Sequence, residues 1–179
     1  TMHMLSWLSA EGTAAIVEFP GVLYRSGAEQ KIRKYLITNN FVDTIIQLPA
    51  NLFFGTSIAT CILVLKKNKA DNRVCFIDAS NDFIHEGNKN KLSPENIAKI
   101  YSAYTEKHEI KHFSQIVTTA DIAEEEYNLS VSNYVEQEDT REKIDIKDLN
   151  TRISDIVTRE VQLRKDIDEI VAELEGGAA

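Results

Sequence analysis

The sequence predicts an α/β fold with a mixed sheet and a long C-terminal helix, and three observations lead to it. Two apolar runs closed by proline, "TAAIVEFP" (Thr13–Pro20) and "FVDTIIQLP" (Phe41–Pro49), flank an amphipathic stretch of helical period. That is the pattern of a strand, a right-handed crossover helix and a parallel strand. Two more apolar runs, "IATCILVLKK" and "RVCFIDAS", follow across short polar connections, which suit antiparallel neighbours. Finally, the end of the chain repeats apolar side chains every three or four positions, the mark of a helix with one apolar seam.

Taken in order, "MHMLSWLSAEG" spaces Met2, Met4, Leu5 and Leu8 like a helix entered midway and stopping at Gly12. Thr13–Pro20 follows as a buried strand. In "SGAEQKIRKYLITNN" the apolar stripe is Ile32, Tyr35 and Leu36, with the charges opposite and Asn39–Asn40 as the stop. Strands at Phe41–Pro49, Ile58–Lys67 and Arg73–Ser80 come next, the last two separated by the turn "NKADN". "SPENIAKIYSAYTEK" is a helix with Ser93 as N-cap, Pro94 at the first position and Ile97, Ile100 and Tyr104 as its apolar stripe. "FSQIVTTADIAEEEYNLSVSNYV" predicts a short strand, a short helix capped by Thr119 or Asp121, and an extended finish around Leu129–Val135. Residues 136–148 read as a charged linker, and the final "GGAA" as disordered.

The last helix carries the clearest period. Leu149, Ile153, Ile156, Glu160, Leu163, Ile167, Ile170 and Leu174 alternate spacings of four and three, with Glu160 the one polar member and Val157 and Val171 widening the stripe. A lone helix of this length is marginal in water. The seam therefore packs either on its own domain or against another chain, and the charged linker before it favours another chain.

Size and composition set limits. A chain of 179 residues buries a core without disulfides. Cys61 and Cys75 lie in apolar strands and read as buried small hydrophobes in a reducing compartment. No apolar run is long enough to span a bilayer, so the reading is a soluble, cytoplasmic protein. The net charge is −8, yet residues 119–179 hold 17 of the 28 acids and only 7 of the 20 bases, leaving the front portion slightly basic. That front portion can approach a polyanion without strong repulsion.

Chemistry-bearing motifs are scarce. His108-Glu109-Ile110-Lys111-His112 matches the zinc pattern H-E-x-x-H. It follows a helix end without an apolar scaffold, and the acids that could supply a third ligand, Glu124 to Glu126, belong to a generic acidic cluster. A solvated helix end is the reading taken, with no metal expected. His3 and His85 stand alone. There is no glycine-rich phosphate loop, no G-x-S-x-G and no Cys/His nucleophile pair. The chain thus carries no self-sufficient catalytic set. Attention falls on "NLFFGTSIAT" (Asn51–Thr60), where two adjacent phenylalanines occupy a connector. Either they seal the sheet edge, or an aromatic beside Gly55 and Thr56 presents a ring face to a planar ligand such as a nucleobase.

Three segments resemble one family. "GTAAIVEFPGVLYR" (Gly12–Arg25), the helix "E-x-x-I-R-K-Y-L" (Glu29–Leu36) and "IIQLPANLFFGTSIATCILVLKK" (Ile45–Lys67) resemble the later half of the modification (M) subunit of type I restriction systems, an adenine-N6 DNA methyltransferase dependent on S-adenosylmethionine. "DIAEEEYNLSVSNYV" (Asp121–Val135) is similar to the family's I-x-x-x-x-Y-N-L-x-x-x-x-Y segment, and "MHMLSWLS" to the helix before the first strand. The resemblance spans roughly residues 2–135.

It implies the second half of a Rossmann-like methyltransferase sheet, mixed and mostly parallel, with a reversed strand inserted between two parallel ones. Residues 1–80 would form the C-terminal half of the catalytic domain, 81–135 its extension, 136–148 a linker and 149–175 a subunit-contact helix. The family's cofactor loop and its Asn-Pro-Pro-aromatic motif are absent from a chain whose prolines are Pro20, Pro49 and Pro94. The expectation is a C-terminal fragment, inactive alone, without catalytic or cofactor-binding residues and without tight S-adenosylmethionine binding. The resemblance implies that Phe53, or else Phe54, stacks on the flipped target adenine with Thr56 beside it. It further implies that Leu149, Ile153, Ile156, Leu163, Ile167, Ile170 and Leu174 meet the specificity (S) subunit. The implied partners are the S subunit, the restriction (R) subunit and double-stranded DNA, with no membrane. The alternative is a non-catalytic interaction module acting only through its C-terminal helix; a zinc hydrolase built on His108 and His112 is the third reading.

Overall fold

A computed structural model describes residues 1–138 and 145–176. Contacts divide the chain into two units, Thr1–Glu138 and Asp139–Ala179. In the first, α1 (Met2–Trp7), β1 (Thr13–Glu18), α2 (Gly21–Tyr24), α3 (Ala28–Thr38), β2 (Val42–Gln47), β3 (Cys61–Lys66) and β4 (Arg73–Asp78) follow one another. Then come a small hairpin of β5 (Ile84–Glu86) and β6 (Lys89–Lys91), α4 (Pro94–Glu106), β7 (Ser114–Thr118) and α5 (Thr119–Glu124).

The main sheet has the order β1-β3-β2-β4-β7. Strand β3 runs antiparallel to both β1 and β2, so β1 and β2 point the same way with the reversed strand between them. Strand β4 is parallel to β2, and β7 closes the other edge antiparallel. The mixed α/β class and the inserted strand agree with expectation. "Mostly parallel" does not describe the pairing: among the described residues only the β2–β4 ladder is parallel, because the inserted β3 and the final β7 both run backwards.

Side-chain alternation puts helices on both faces. Ile45, Leu63, Leu65, Val74 and Phe76 join Leu5, Leu23, Leu36, Ile122 and Val131 in one core, whereas Ile46, Cys75 and Ile77 join Ile100, Ala103 and Phe113 in another. Covered on both sides, β2 and β4 are almost continuously buried. Strand β1 is not the buried strand its composition suggests. It is an edge strand of alternating exposure, with Val17 half exposed.

Other details depart from the sequence reading. Helix α1 stops at Trp7, and Gly12 sits in the following turn, where a Cβ would lie 2.6 Å from Leu8 Cδ1. On α3 the buried positions are Arg33, Leu36 and Ile37, while Ile32 and Tyr35 are exposed. The charged Arg33 is inside because backbone carbonyls receive it. Its Nε donates to Tyr127 O at 2.8 Å, and its Nη1 donates to Val22 O at 3.0 Å and Arg25 O at 2.8 Å. The cap of α5 is Thr118, one residue before the predicted Thr119. Its hydroxyl accepts the Asp121 N–H, and the Asp121 carboxylate answers in a reciprocal capping box. The finish at Leu129–Val135 contains a 3₁₀ turn, Val131–Asn133, in place of extended chain. Ser93 caps α4 as expected, again with a capping box.

A bulge between Val42 and Thr44 leaves Asp43 outside the β2–β3 ladder, and bulges commonly re-aim a side chain. Here the carboxylate is buried and meets Lys107 Nζ at 2.6 Å and Lys66 Nζ at 3.4 Å. Burial alone would raise its pKa; the hydrogen bonds and charges of Lys107, Thr44 and Lys66 outweigh burial and hold it below the ordinary value. A depressed carboxylate stabilises the fold above its unfolded pKa, about 4, and loses that contribution as pH falls toward its folded value. Asp43→Asn is expected to cost about 2–4 kcal/mol at pH 7. In urea titrations the gap between the two proteins narrows as pH drops below about 4. A gap unchanged at pH 3 would contradict this account.

In the second unit, α6 spans Ile146–Gly176. Part of the expected linker, residues 139–144, and the end of the "GGAA" tail, residues 177–179, lie outside the described residues. All seven apolar seam positions, Leu149 to Leu174, are exposed. Glu160 is paired with Arg164 one turn on, at 2.8 Å. No described helix is long and apolar enough to cross a membrane.

Candidate functional site

The parallel strands β1, β2 and β4 end along one edge of the sheet. There the register aligns Glu18, Cys61, Gln47 and Asp78 in a row across four strands. Ligands of open α/β sheets bind outside such carboxyl ends. The connector Leu48–Thr60 leaves and re-enters the sheet at this row. Its return is pinned by Thr60 O, which accepts the Leu48 N–H at 2.9 Å and Gln47 Nε2 at 3.1 Å.

The connector folds back on itself. Asn51 and Gly55 adopt left-handed backbone, φ 57° and 80°, and the Asn51 N–H donates to Ser57 O at 3.2 Å. No atom lies within 4 Å of a Cβ built on Gly55, so glycine is needed there for its φ and not for space. Thr56 Oγ1 accepts the Ile58 N–H at 3.1 Å and so shapes the tip.

The two rings differ. Phe53 is 39% exposed and, with Thr56 and Thr60, lines a depression of about 260 Å³ whose other wall is Val17, Glu18 and Phe19. Phe54 is fully exposed and does not line it. Phe53 and Thr56 are thus brought together and Phe54 is left apart. The Thr60 hydroxyl oxygen is buried, with no hydrogen-bond partner among the described residues. The depression therefore sets Phe53 and two threonines against the end of β1, a mostly apolar lining suited to a flat molecule.

Sequence reasoning missed the support beneath the loop. Lys89, on the β5–β6 hairpin, donates from Nζ to Asn51 Oδ1 at 2.8 Å, Phe53 O at 3.1 Å and Thr56 O at 3.1 Å. The Asn90 N–H donates to Asn51 O at 3.1 Å and Asn90 Nδ2 to Ala50 O at 2.8 Å, while Asn51 Nδ2 reaches Asn88 O at 2.8 Å. The only sequence signal for this hairpin was the Gly87-Asn88 pair, a two-residue turn dipeptide with Gly87 at φ 61°.

The other candidates fall away on geometry. His108–His112 lies beyond the end of α4, with Lys107 and His112 at positive φ. The helical i, i+4 relation that the zinc motif needs is absent. His112 Nδ1 instead lies 2.8 Å from Glu136 O. Burial, with a smaller effect of Glu18 on Cys61, pushes both thiols up to about 11, so Cys61 and Cys75 are protonated core residues.

Comparison with known proteins identifies the family. Residues 1–143 match the family model described as N-6 DNA Methylase. The chain is 50% identical over 97% of its length to the type I restriction enzyme MpnII methylase subunit of Mycoplasma pneumoniae, covering 32% of that protein. It is 33% identical over 93% of its length to the MjaVII methylase subunit of Methanocaldococcus jannaschii, covering 30%. In the crystal structure of a type I restriction-modification methyltransferase subunit from Streptococcus thermophilus, 27% of the chain superposes on 70% of this one, at 43% identity and a TM-score of 0.69. The chain spans about a third of the length of the curated relatives it matches. With a family match across most of its length and a fold shared with such a subunit, the chain belongs to the N-6 DNA methylase family, with type I modification subunits as its relatives.

Proposed function

We propose that this chain is the target-base half of a type I modification subunit, an enzyme that transfers a methyl group from S-adenosylmethionine to adenine N6 in double-stranded DNA. The observation that carries the reading is the aromatic loop at the carboxyl edge of the sheet, with Phe53 and Thr56 lining a depression. A base rotated out of the duplex needs an aromatic face to replace its lost stacking neighbours. Phe53 supplies that face, Thr56 borders it, and Phe54 remains outside.

The cofactor does not fit the residues present. The connections leaving β1, β2 and β4 at this edge contain no glycine-rich turn, and the 179 residues contain no Asn-Pro-Pro-aromatic motif. Residues outside these 179 hold S-adenosylmethionine and the adenine amino group, and the chain alone is inactive. Its own share of the work is to hold the base and keep it from re-stacking.

The exposed seam of α6, Leu149 to Leu174, binds the specificity subunit, and the assembled enzyme joins the restriction subunit and works in the cytoplasm on DNA. One experiment tests activity and seam together: the complete modification subunit is titrated with its specificity subunit, and complex formation and adenine methylation are both followed. The native pair is expected to assemble and methylate. Ile156→Asp with Ile167→Asp is expected to weaken assembly by at least about 100-fold, with methylation returning at high subunit concentration. A native complex that methylates no adenine, or a seam variant that assembles normally, would contradict the proposal.

A further inference from the structure

We infer that Lys89 is a positioning residue that holds the aromatic loop in the shape that receives the target base; this rests on the stacking role proposed for Phe53. An ammonium has three protons and no acceptor, and Lys89 directs all three at one short loop, to Asn51 Oδ1, Phe53 O and Thr56 O. Those acceptors come from both sides of the tip. Little else holds the tip: Gly55 has no neighbour within 4 Å of its Cβ position, and Phe54 is wholly exposed. Connectors without packing of this kind ordinarily fluctuate.

Lys89 is itself fixed by its hairpin, because Asn88 and Asn90 on either side bond to Asn51 and Ala50 at the base of the loop. Hairpin and loop therefore form one joint. Phe53 belongs to the backbone unit whose carbonyl Lys89 grips, so the position of that ring follows from the ammonium. With its three protons committed to the loop, Lys89 does not serve as a phosphate contact.

The test uses the complete methyltransferase with Lys89→Met, Phe53→Ala and both together. Readouts are hydrogen exchange across residues 51–57, single-turnover methylation and the salt dependence of DNA binding. Lys89→Met is expected to speed exchange in the loop and slow methylation about fivefold, the lower end of what a lost base–aromatic stack costs. It should add little to Phe53→Ala, as for two residues acting through one contact. Lys89→Gln, which keeps a donor, should recover part of the rate, and the salt slope should not change. Unchanged exchange, fully additive losses, or a salt slope reduced by about one would each overturn the inference. If Phe53→Ala leaves methylation unaffected while Lys89→Met still loosens the loop, the stacking role fails and the clamp stands.

Discussion

Arg33→Ala is expected to lower the unfolding free energy by about 3–4 kcal/mol, since charged hydrogen bonds contribute roughly 1.5–3 kcal/mol each and water replaces some of the three that are lost. Arg33 is 4% exposed and ties α3 to two other parts of the chain. It binds Val22 O within α2 and Arg25 O at the C-cap of that helix, and Tyr127 O from a segment 94 residues away. Glu126 and Tyr127 are consecutive non-glycine residues in left-handed backbone, φ 52° and 61°, a conformation that costs roughly 1–2 kcal/mol per residue. Arg33 and the neighbouring Gln30, which donates to Glu126 O at 3.2 Å, offset that strain by receiving the carbonyls it presents. Burial lowers the pKa of the guanidinium, with Glu29 acting in the opposite direction, and arginine keeps its charge inside proteins. Arg33→Met keeps the stem in the core but not the bonds, so it should recover only a small part of the loss. Denaturant unfolding checks both variants. A cost below about 1 kcal/mol for Arg33→Ala would show that water satisfies the three carbonyls as well as the guanidinium does.

Arg33 also marks where sequence reading ran out. The strands were legible because apolar runs closed by Pro20 and Pro49 leave little freedom, and the α6 seam because its spacing holds through every repeat. The α3 stripe was misread because a charged residue is ordinarily assigned to solvent. The carbonyls that bring Arg33 inside come from Val22, Arg25 and Tyr127, and no local pattern announces them. The same limit hid the joint beneath the aromatic loop. Strands β5 and β6 are three residues each, and β5 is exposed throughout, so they carry no period to detect. That Asn51, Phe53 and Thr56 converge on Lys89 is a fact of tertiary distance. The site itself was half legible: residue types singled out Phe53, Phe54 and Thr56, whereas only the fold separates the ring in the depression from the ring in solvent.

Phe53→Ala in the complete enzyme is expected to slow methylation about 5- to 150-fold, the kinetic equivalent of the ~1–3 kcal/mol that base–aromatic stacking contributes. The loss should fall on the step that holds the base outside the duplex. On the proposed reading S-adenosylmethionine is held by residues other than these, so its affinity should be unaffected. Phe54→Ala should stay within about twofold of the native rate, since a ring in solvent gives up little. Phe53→Tyr or Phe53→Trp should retain most activity because each keeps a stacking face. This pattern also separates the methyltransferase reading from a module that works only through α6: in such a module Phe53→Ala would leave an assembled complex with full methylation.

The most direct measurement is a photocrosslink. DNA carrying 5-iodouracil in place of the target adenine presents a mismatched base, which rotates out of the duplex at low cost. It is bound to the complete enzyme, irradiated, and the attached peptide sequenced. The account predicts attachment at Phe53. Attachment at Phe54, or at a residue outside Asn51–Thr60, would contradict it.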